Sequence, residues 1–505
     1  MRFNYFNPSQ PATLNHQGAL AWKMDARAEL YAAVVTASLQ NSFYQKDKDR
    51  LSRIKKLIKQ NEPTFVAKLA VYARTQMHLR SVPLVLVAEL ARIHSGDSLI
   101  SRTISRVICR ADEITELLAY YQLSNWRRRF KKLNRLSKQV QKGIALAFNQ
   151  FDEYQFAKYN RVAEVKLRDA LFLAHPKAKD APQQELFDKI AGDTLARPYT
   201  WETELSALGQ LTFATEEERR QAFTAKWEEL LDSGKLGYMA LLRNLRNILE
   251  LDVSPAHIDR LCAFLSNEKA VQKAKQLPFR YLAAYRELQN VSSGFSAQVL
   301  TALEEAVRVS IRNVKGFGNE VKVVIACDVS GSMQRPVSQQ SKIQLYDIGL
   351  MLGMLLQHRC HQVITGMFGE IWKEINLPQI NVLANVQEFH RRAGEVGYAT
   401  NGYLVVRHLV QHKEKADKVM LFTDCQLWNS TGDGDHLARA WQQYKAIAPQ
   451  ARLYLFDLAG YGQAPIQLIQ DGVFLIAGWS DKVFEVLQAI EDGEEALAGI
   501  EAMEV

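Results

Sequence analysis

Apolar residues recur at every third or fourth position from about residue 25 to residue 310, which is the spacing of one buried face of an α-helix. The segments PTFVAKLAVYARTQ (63–76) and VPLVLVAELARIH (82–94) show this spacing, and polar breaks such as SGDS (95–98) separate successive segments. The alternation with period two that is typical of half-buried strands is nearly absent here. Helix pairs with short connectors indicate a HEAT-like solenoid, although no fixed repeat length accompanies them.

After Gly316 the pattern changes to short apolar runs that alternate with helical spacing. The run VKVVIACD (321–328) is rich in β-branched residues and ends in a polar cluster, as a buried strand does. Strands that alternate with helices form a parallel sheet with helices on both faces. The sequence therefore predicts a multidomain protein, with an all-α HEAT-like domain over 1–315 and a doubly wound α/β domain over 316–505. Further strands are predicted at 361–369, 418–424, 452–458 and 473–479, and helices at 342–357, 402–412, 435–446 and from about 481.

Oxygen-bearing side chains follow the first predicted strand in the order Asp328, Ser330 and Ser332. This D-x-S-x-S spacing places one carboxylate and two hydroxyl groups on a tight turn, and we expect Gly331 to permit the bend. Ligands of doubly wound sheets lie beyond the carboxyl ends of the strands, where this turn is predicted. The alternative is that both serines only cap the following helix.

Two later loops supply further oxygen atoms beyond strand ends. Thr400 lies in the glycine-flanked GYATNG (397–402), and Asp424 ends the buried strand KVMLFTD (418–424). Hard divalent cations such as Mg²⁺ and Mn²⁺ are bound mainly by oxygen atoms, several of them from water. We therefore predict a divalent-metal site, for Mg²⁺ or Mn²⁺, that is formed by Asp328, Ser330, Ser332, Thr400 and Asp424.

Catalytic uses of the same residues lack required parts. An aspartate nucleophile for phosphoryl transfer usually has a second carboxylate two positions later, where Ser330 stands, and a G-x-S-x-G nucleophile elbow would lack its first glycine. Neither a G-x-x-x-x-G-K-[ST] loop nor an H-E-x-x-H motif occurs. His358, Cys360 and His361 could bind zinc, but no matching cluster accompanies them, so ordinary packing is the favoured interpretation. The sequence thus predicts a binding protein rather than an enzyme.

The net charge of +8 is unevenly distributed. Residues 1–300 contain 45 Lys and Arg against 31 Asp and Glu, a balance of +14, whereas residues 301–505 contain 18 against 24, a balance of −6. Within residues 1–150 the balance is +15. Such asymmetry is typical of polyanion-binding proteins, because each basic side chain that neutralises a phosphate releases counterions. On charge alone, a basic surface that only confers solubility is the alternative.

Lysine and arginine line one face of a helix predicted within SNWRRRFKKLNRLSKQVQKGIAL (124–146). Apolar residues share another face, so the helix can pack on one side and bind phosphates on the other. Trp126 and Phe130, beside the arginines, could stack on an unpaired base. A merely solvated face is the alternative. The candidate RNA contacts of this helix are Lys131, Arg135, Lys138 and Lys142, and Arg102, Arg106 and Arg110 form a second stripe.

The five cysteines are odd in number, far apart in sequence and never in a Cys-x-x-Cys pair, which predicts reduced thiols. The segment MRFNYFNPSQPATLN (1–15) lacks the apolar run of a signal peptide, and no stretch approaches about 18 unbroken apolar residues. We therefore expect a soluble cytoplasmic protein without a membrane partner.

The basic half contains the stretches TLNHQGALAWKMD (13–25), AVYARTQMHLRSVPLVLVAEL (70–90), FDEYQFAKYNR (151–161), PYTWETELSALG (198–209), GYMALLRNLRNI (237–248) and LPFRYLAAYREL (277–288). These stretches resemble the TROVE domain of the Ro autoantigen family. The five predicted metal ligands resemble the metal-ion-dependent adhesion site of von Willebrand factor A domains. The two resemblances together cover nearly the whole chain, in the order of a bacterial-type Ro protein.

That resemblance implies a monomeric ring of HEAT-like helices, closed by contact of its ends near the von Willebrand factor A domain. It also implies binding of small noncoding Y RNAs on the outer face and of single-stranded ends of misfolded RNAs in the central hole. The implied roles are RNA quality control and stress survival, in concert with exoribonucleases. The segment VKLRDALFLAHPKAKD (165–180) resembles the Y RNA-contacting stretch of the family, which implies contacts by Lys166, Arg168 and His175, with Lys177 nearby.

Three functions remain in competition. RNA-binding quality control predicts an affinity that falls steeply with salt concentration. A metal-dependent adhesion module predicts capture of an acidic protein partner, and a metal-dependent hydrolase predicts turnover that depends on Asp328. The charge distribution and the resemblance favour RNA binding, with adhesion as the alternative for the C-terminal half.

Overall fold

The computed structural model describes residues 12–14, 20–37, 48–124, 136–160, 164–312, 316–337, 341–427, 436–466, 472–492 and 497–505. Up to residue 312 these residues are mainly helical, as the apolar spacing predicts. The helices are Ala26–Val35, Lys48–Gln60, Pro63–Thr75, Ser81–Leu90, Leu99–Val107, Ala111–Ser124, Lys138–Phe148, Glu153–Tyr159, Leu167–Ala174, Ala181–Gly192, Trp201–Leu208, Glu216–Asp232, Tyr238–Leu249, Pro255–Leu265, Glu268–Ala274, Pro278–Leu288 and Ser296–Ser310.

The chain forms two compact units. One unit contains the described residues of Met1–Ala32 and Glu204–Ala496, and the other contains those of Ala33–Thr203 and Leu497–Val505. The first unit therefore combines the helices between 216 and 310 with the six-stranded sheet of the α/β part and the helices around it up to residue 492. The second contains the most basic helices and the short helix Ala498–Glu501. The domain boundary at 315/316 stays a prediction.

The α/β part contains a six-stranded sheet. Its first strand is an apolar run, and Val323, Val324 and Ile325 are each 0% exposed because helices cover both faces. The strands are β3 (Lys322–Asp328), β4 (Gln362–Phe368), β5 (Trp372–Glu374), β6 (Lys418–Thr423), β7 (Arg452–Asp457) and β9 (Val473–Ala477). Their order in the sheet is β5-β4-β3-β6-β7-β9. The helices are Leu345–Arg359, Leu383–Arg392, Tyr403–His412, His436–Ile447 and Val483–Glu491.

Two features depart from the predicted parallel sheet. Strand β5 pairs antiparallel with β4, so the sheet is mixed. A second, antiparallel sheet joins β1 (Ala12–Leu14), β2 (Leu20–Lys23) and β8 (Gln463–Ala464). These strands contain only two to four residues, which is too short for an alternating pattern to reveal them.

The strand order reverses at β3, which places a ligand-binding crevice at its carboxyl end. The chain runs from β3 to β4 on one side and later to β6 on the other, and both are parallel to β3. The registers Asp328↔Phe368 and Cys327↔Phe422 bring the ends of the three strands to one edge of the sheet. Of the predicted metal ligands, Asp328 ends β3, Ser330 and Ser332 lie in the turn after it, and Asp424 directly follows β6, whereas Thr400 lies in the loop before the helix Tyr403–His412.

Within the first unit, an ion pair joins the helix Pro278–Leu288 to the helix Leu345–Arg359. The Arg286 guanidinium donates two hydrogen bonds to the Asp347 carboxylate, at 2.8 and 2.6 Å. Asp347 is 0% exposed, and its carboxylate also accepts the backbone N–H of Gln344 at 2.8 Å and lies 3.5 Å from the Nδ1 of His390, but Arg286 supplies its guanidinium partner.

We expect Arg286→Ala to lower the free energy of unfolding by about 3 kcal/mol, because it leaves a buried carboxylate without its paired guanidinium. Urea denaturation of the full-length protein measures the change. Arg246→Ala is the control, because Arg246 forms an exposed ion pair with Glu250 and should contribute only about 0.5 kcal/mol. Equal losses in the two variants would contradict this account.

Among the described residues, no helix combines the length and the apolar character needed to cross a membrane.

Candidate functional site

The turn after β3 is organised around Asp328. Its Oδ1 accepts the backbone N–H of Ser330 at 2.9 Å, and its Oδ2 accepts the hydroxyl of Thr423 at 2.6 Å. The hydroxyl oxygens of Ser330 and Ser332 lie 3.2 Å apart. Asp328 and Ser330 are buried, whereas Ser332 is partly exposed. The D-x-S-x-S turn thus gathers three oxygen-bearing side chains at the surface of the crevice.

Asp424 lies beside this turn because it directly follows β6, the neighbour of β3. Its Oδ1 accepts the backbone N–H of Gln426 at 3.0 Å, and its carboxylate interacts with the hydroxyl of Ser332. Cys425 adopts a φ of 57°, in the left-handed region, which turns the chain sharply after the carboxylate. The two aspartates therefore belong to one site.

The loop that carries Thr400 contacts the same turn through its backbone. The N–H of Gly331 donates to the carbonyl of Tyr398 at 3.0 Å, and the N–H of Asn401 donates to the carbonyl of Gly369 at 3.1 Å. Thr400 itself is 6% exposed. Gly331 is not among the residues with positive φ, so our expectation that the bend exploits the freedom of glycine was wrong. The turn continues instead as the short 3₁₀ helix Gly331–Gln334.

Burial disfavours the charged form of both carboxylates. Burial, followed by the negative charge of Asp424, raises the pKa of Asp328 to about 7. Burial also raises the pKa of Asp424, although hydrogen bonds and the charge of Arg335 oppose the rise. Among the described lysines and arginines, none forms a salt bridge with either aspartate. A divalent cation would supply the missing positive charge, and the oxygen-only donor set fits Mg²⁺ or Mn²⁺.

We expect the metal-free protein to lose stability as the pH rises from 5 to 7, and then to level off. The folded-state pKa of Asp328 lies above the ordinary 3.8, so in this range the folded state binds more protons than the unfolded state does. The expected loss is about 2 kcal/mol, and Asp328→Asn should remove most of it. Thermal denaturation in the presence of a chelator measures both. An unchanged pH dependence in the variant would contradict the assignment.

The predicted RNA contacts within 124–146 are only partly described. Lys131 and Arg135 lie outside the described residues, as do Trp126 and Phe130. Lys138 and Lys142 are exposed on the helix Lys138–Phe148. This helix begins after Ser137, its N-cap, whose Oγ accepts the N–H of Val140 at 3.2 Å, so it does not extend through residues 136 and 137 toward the predicted contacts Lys131 and Arg135.

The three residues taken from the Y RNA-contacting resemblance lie on or beside the helix Leu167–Ala174. Lys166 precedes it, Arg168 lies in its first turn, and His175 ends it with a φ of 46°. All three side chains are exposed. The guanidinium of Arg168 lies 5.7 Å from the ring centre of Phe172, which is 52% exposed. This pairing offers a cation and an aromatic face side by side.

The helices Lys138–Phe148 and Leu167–Ala174 are neighbours within the second unit. The Gln141 side chain donates to the carbonyl of Leu173 at 3.1 Å, and the Asn149 side chain donates to the carbonyl of Lys177 at 2.9 Å. Two groups of basic residues that are separate in the sequence therefore lie on adjacent helices.

The second basic stripe is largely paired within the protein. Arg106 donates to the carbonyl of Glu504 at 2.7 Å and lies 3.2 Å from its carboxylate. Arg110 forms an ion pair with Asp112 at 3.0 Å and lies over the ring of Tyr159. These contacts reduce the charge that Arg106 and Arg110 offer to a phosphate.

Sequence reasoning missed the role of Thr423, whose hydroxyl orients Asp328. Its position next to Asp424 at the end of β6 is the only signal that could have indicated it. Cys360 is buried, and the Nδ1 of His358 lies 3.0 Å from the carbonyl of Gln379, which agrees with ordinary packing.

Comparisons with known proteins agree with the fold. Residues 31–194 and 191–313 match the family model of the TROVE domain, and residues 322–490 match that of the Ro60 vWA domain. Telomerase protein component 1 of Rattus norvegicus and that of Mus musculus are each 26% identical over 335 residues, covering 50% of this chain. The chain spans only 12% of the length of these relatives.

The crystal structure of the Deinococcus radiodurans Ro (RSR) protein superposes with a TM-score of 0.60 at 18% identity, over 93% of this chain and 100% of that one, which shows a shared fold. The TROVE matches extend over more than half of the chain and are followed by the matching vWA domain, so this chain belongs to the Ro family of RNA-binding proteins.

Proposed function

We propose that this protein binds small noncoding Y-type RNA through the basic residues of the two adjacent helices Lys138–Phe148 and Leu167–Ala174. The observation that carries the proposal is that four basic side chains are exposed on or beside these helices: Lys138, Lys142, Lys166 and Arg168. In the described part of the chain, none of them forms a salt bridge with an acidic side chain. Their charges are therefore available to phosphates, in contrast to those of Arg106 and Arg110.

The proposed role is the quality control of noncoding RNA in the cytoplasm, together with exoribonucleases that act on the same RNAs. Misfolded RNAs with single-stranded ends are the second proposed ligand. Family membership and the +15 balance of residues 1–150 support this role. All five cysteines are free thiols, which suits a reducing compartment. We propose binding without catalysis by the chain itself.

A second candidate function concerns the site around Asp328. We propose that Asp328, Ser330, Ser332, Thr400 and Asp424 hold Mg²⁺ or Mn²⁺, and that the ion recruits an acidic side chain of a protein partner. The pair of buried carboxylates without a described basic partner favours this function. When bound, the cation would offer a coordination position to an incoming carboxylate.

The decisive experiment for the first function is ultraviolet cross-linking of the full-length protein to its native RNA, followed by sequencing of the RNA and mass spectrometry of the peptides. We expect small structured noncoding RNAs, with cross-links in the segment from 136 to 180. The matched variant changes four residues to glutamate: Lys138, Lys142, Lys166 and Arg168. The proposal would be contradicted if the unaltered protein recovered no more RNA than this variant does.

A further inference from the structure

A second group of metal-binding side chains lies in the α/β part, outside the turn around Asp328. Glu374 ends β5, His408 lies on the helix Tyr403–His412, and Glu414 follows that helix. The Nε2 of His408 lies 2.9 Å from the Oε1 of Glu374, and one ligand atom from each of the three side chains lies within 4.8 Å of the others. We propose that Glu374, His408 and Glu414 form a binding site for a divalent transition-metal ion, with Zn²⁺ as the ion that fits best.

His412 supplies an independent observation that points to the same ligand. Its ring centre lies 4.1 Å from that of His408, one helical turn away. Its Nδ1 lies 2.9 Å from the carbonyl oxygen of His408, and since a carbonyl can only accept, Nδ1 carries the proton. The lone pair of Nε2 then remains free. Histidines that bind metals are commonly held in this way, with the other ring nitrogen donating to a backbone carbonyl.

The sequence HLVQH (408–412) gives these histidines the four-residue spacing with which helices present two imidazoles to zinc. His412 is exposed and lies outside the group of ligand atoms that are within 4.8 Å of one another, so it would become a fourth ligand only if its side chain moved toward the ion. The pair does not form an H-E-x-x-H motif, because Leu409 stands where that motif has its glutamate. Here the carboxylates come from other segments, Glu374 from the edge strand and Glu414 from the loop after the helix.

The chemistry of this group differs from that of the site around Asp328. Imidazole nitrogen combined with carboxylate oxygen favours Zn²⁺, whereas Mg²⁺ is bound by oxygen atoms. The two groups are also separated in space. Thr400 precedes the helix Tyr403–His412, and His408 lies five residues beyond Tyr403, about 8 Å further along the helix. The proposed zinc site therefore does not share ligands with the first site.

Lys322 is the competitor that zinc would have to displace. Its Nζ lies 2.7 Å from the Oε1 of Glu414, so the ammonium group already neutralises that carboxylate. The alternative is that the cluster is only a set of surface ion pairs. The two explanations make opposite predictions for Lys322→Met, which should strengthen zinc binding if the carboxylate is a ligand.

The test is calorimetric titration of ZnCl₂ into the full-length protein carrying Asp328→Ala, which silences the first site. In this background we expect one zinc ion per chain at the cluster. His408→Ala should weaken its binding at least tenfold, Glu374→Gln should weaken it several-fold, and Lys322→Met should strengthen it. The matched control is His361→Ala, which removes an exposed histidine of the same unit outside the cluster and should change nothing. Absorption spectra with Co²⁺ in place of Zn²⁺ should show tetrahedral coordination that disappears in His408→Ala.

Zinc binding that is unchanged by both His408→Ala and Glu374→Gln would overturn the proposal, as would a protein that binds no zinc. If His408→Ala proves to be unfolded by circular dichroism, Glu374→Gln decides, because Glu374 is an exposed residue at the end of an edge strand. Weaker zinc binding in Lys322→Met would also contradict the proposed ligand role of Glu414.

Discussion

Changing Lys138, Lys142, Lys166 and Arg168 together to glutamate is expected to lower the affinity of the full-length protein for Y-type RNA about a thousandfold at about 0.1 M salt. Each side chain is exposed and, among the described residues, free of an acidic partner, so each can neutralise one phosphate. Four lost contacts at about 1 kcal/mol each amount to about 4 kcal/mol, which corresponds to a thousandfold change in the dissociation constant. The slope of log affinity against log salt should also become shallower by about 3.

The fold should survive, because the opposite sides of the two helices carry the packing. Val140, Ile144, Ala170 and Leu171 are all buried. Filter binding at several salt concentrations measures the affinity and the slope, and circular dichroism checks the fold.

The matched control applies the same change of net charge in the other unit. It replaces four exposed basic residues with glutamate: Lys269, Lys273, Arg407 and Lys415. We expect a loss of less than tenfold, from the long-range effect of net charge alone. A control that loses as much affinity as the first variant would mean that RNA responds only to overall charge, and the assignment to these two helices would fail.

Much of the fold follows from local patterns, and the exceptions have a common cause. The run KVMLFT contains four consecutive apolar residues, Val419 to Phe422, so β6 is predictable from its own sequence. Strand β5 has only three residues and exists because it pairs with β4, a contact that no local pattern encodes. At Ser137 the local pattern instead predicts a helix that is longer than the one observed. Helical spacing continues across it, but a serine that accepts an N–H from the next turn begins a helix rather than extending one.

The candidate sites also divide into features that the local sequence encodes and features that depend on tertiary contacts. The D-x-S-x-S turn is predictable, because its three oxygen-bearing residues occupy every second position from the end of one strand. The pairing of Arg106 with Glu504 joins residues 398 positions apart, so a basic stripe that looks available in the sequence is neutralised in the fold. The zinc-binding group is of the same kind, since Glu374 meets His408 only through tertiary packing. The spacing of residues within one segment reveals candidate ligands. The oppositely charged side chains that already neutralise them come from segments distant in the sequence, so the sequence does not reveal them.

Asp328→Ala is expected to abolish binding of Mg²⁺ and Mn²⁺ at the carboxyl edge of the sheet while changing RNA affinity less than tenfold. Asp328 supplies a buried carboxylate oxygen and hydrogen-bonds both Ser330 and Thr423, so its removal takes away a ligand and the contacts that organise the turn. We expect metal affinity to fall at least a thousandfold. The proposed RNA contacts belong to the other compact unit, so a tenfold limit, about 1.4 kcal/mol, allows for modest indirect effects.

Calorimetric titration of Mg²⁺ and Mn²⁺ into the full-length protein measures the first effect, and RNA binding at fixed salt measures the second. Glu370→Gln is the local control, because Glu370 is an exposed carboxylate whose side chain lies close to Gly397, in the loop that carries Thr400, but is not a proposed ligand. Unaltered metal binding in Asp328→Ala would remove the proposed site. A hundredfold loss of RNA affinity in a correctly folded variant would instead mean that the metal takes part in RNA recognition, since a phosphate oxygen can occupy the same coordination position as a carboxylate. The adhesion function would then give way to one in which the cation and the basic helices bind the same RNA.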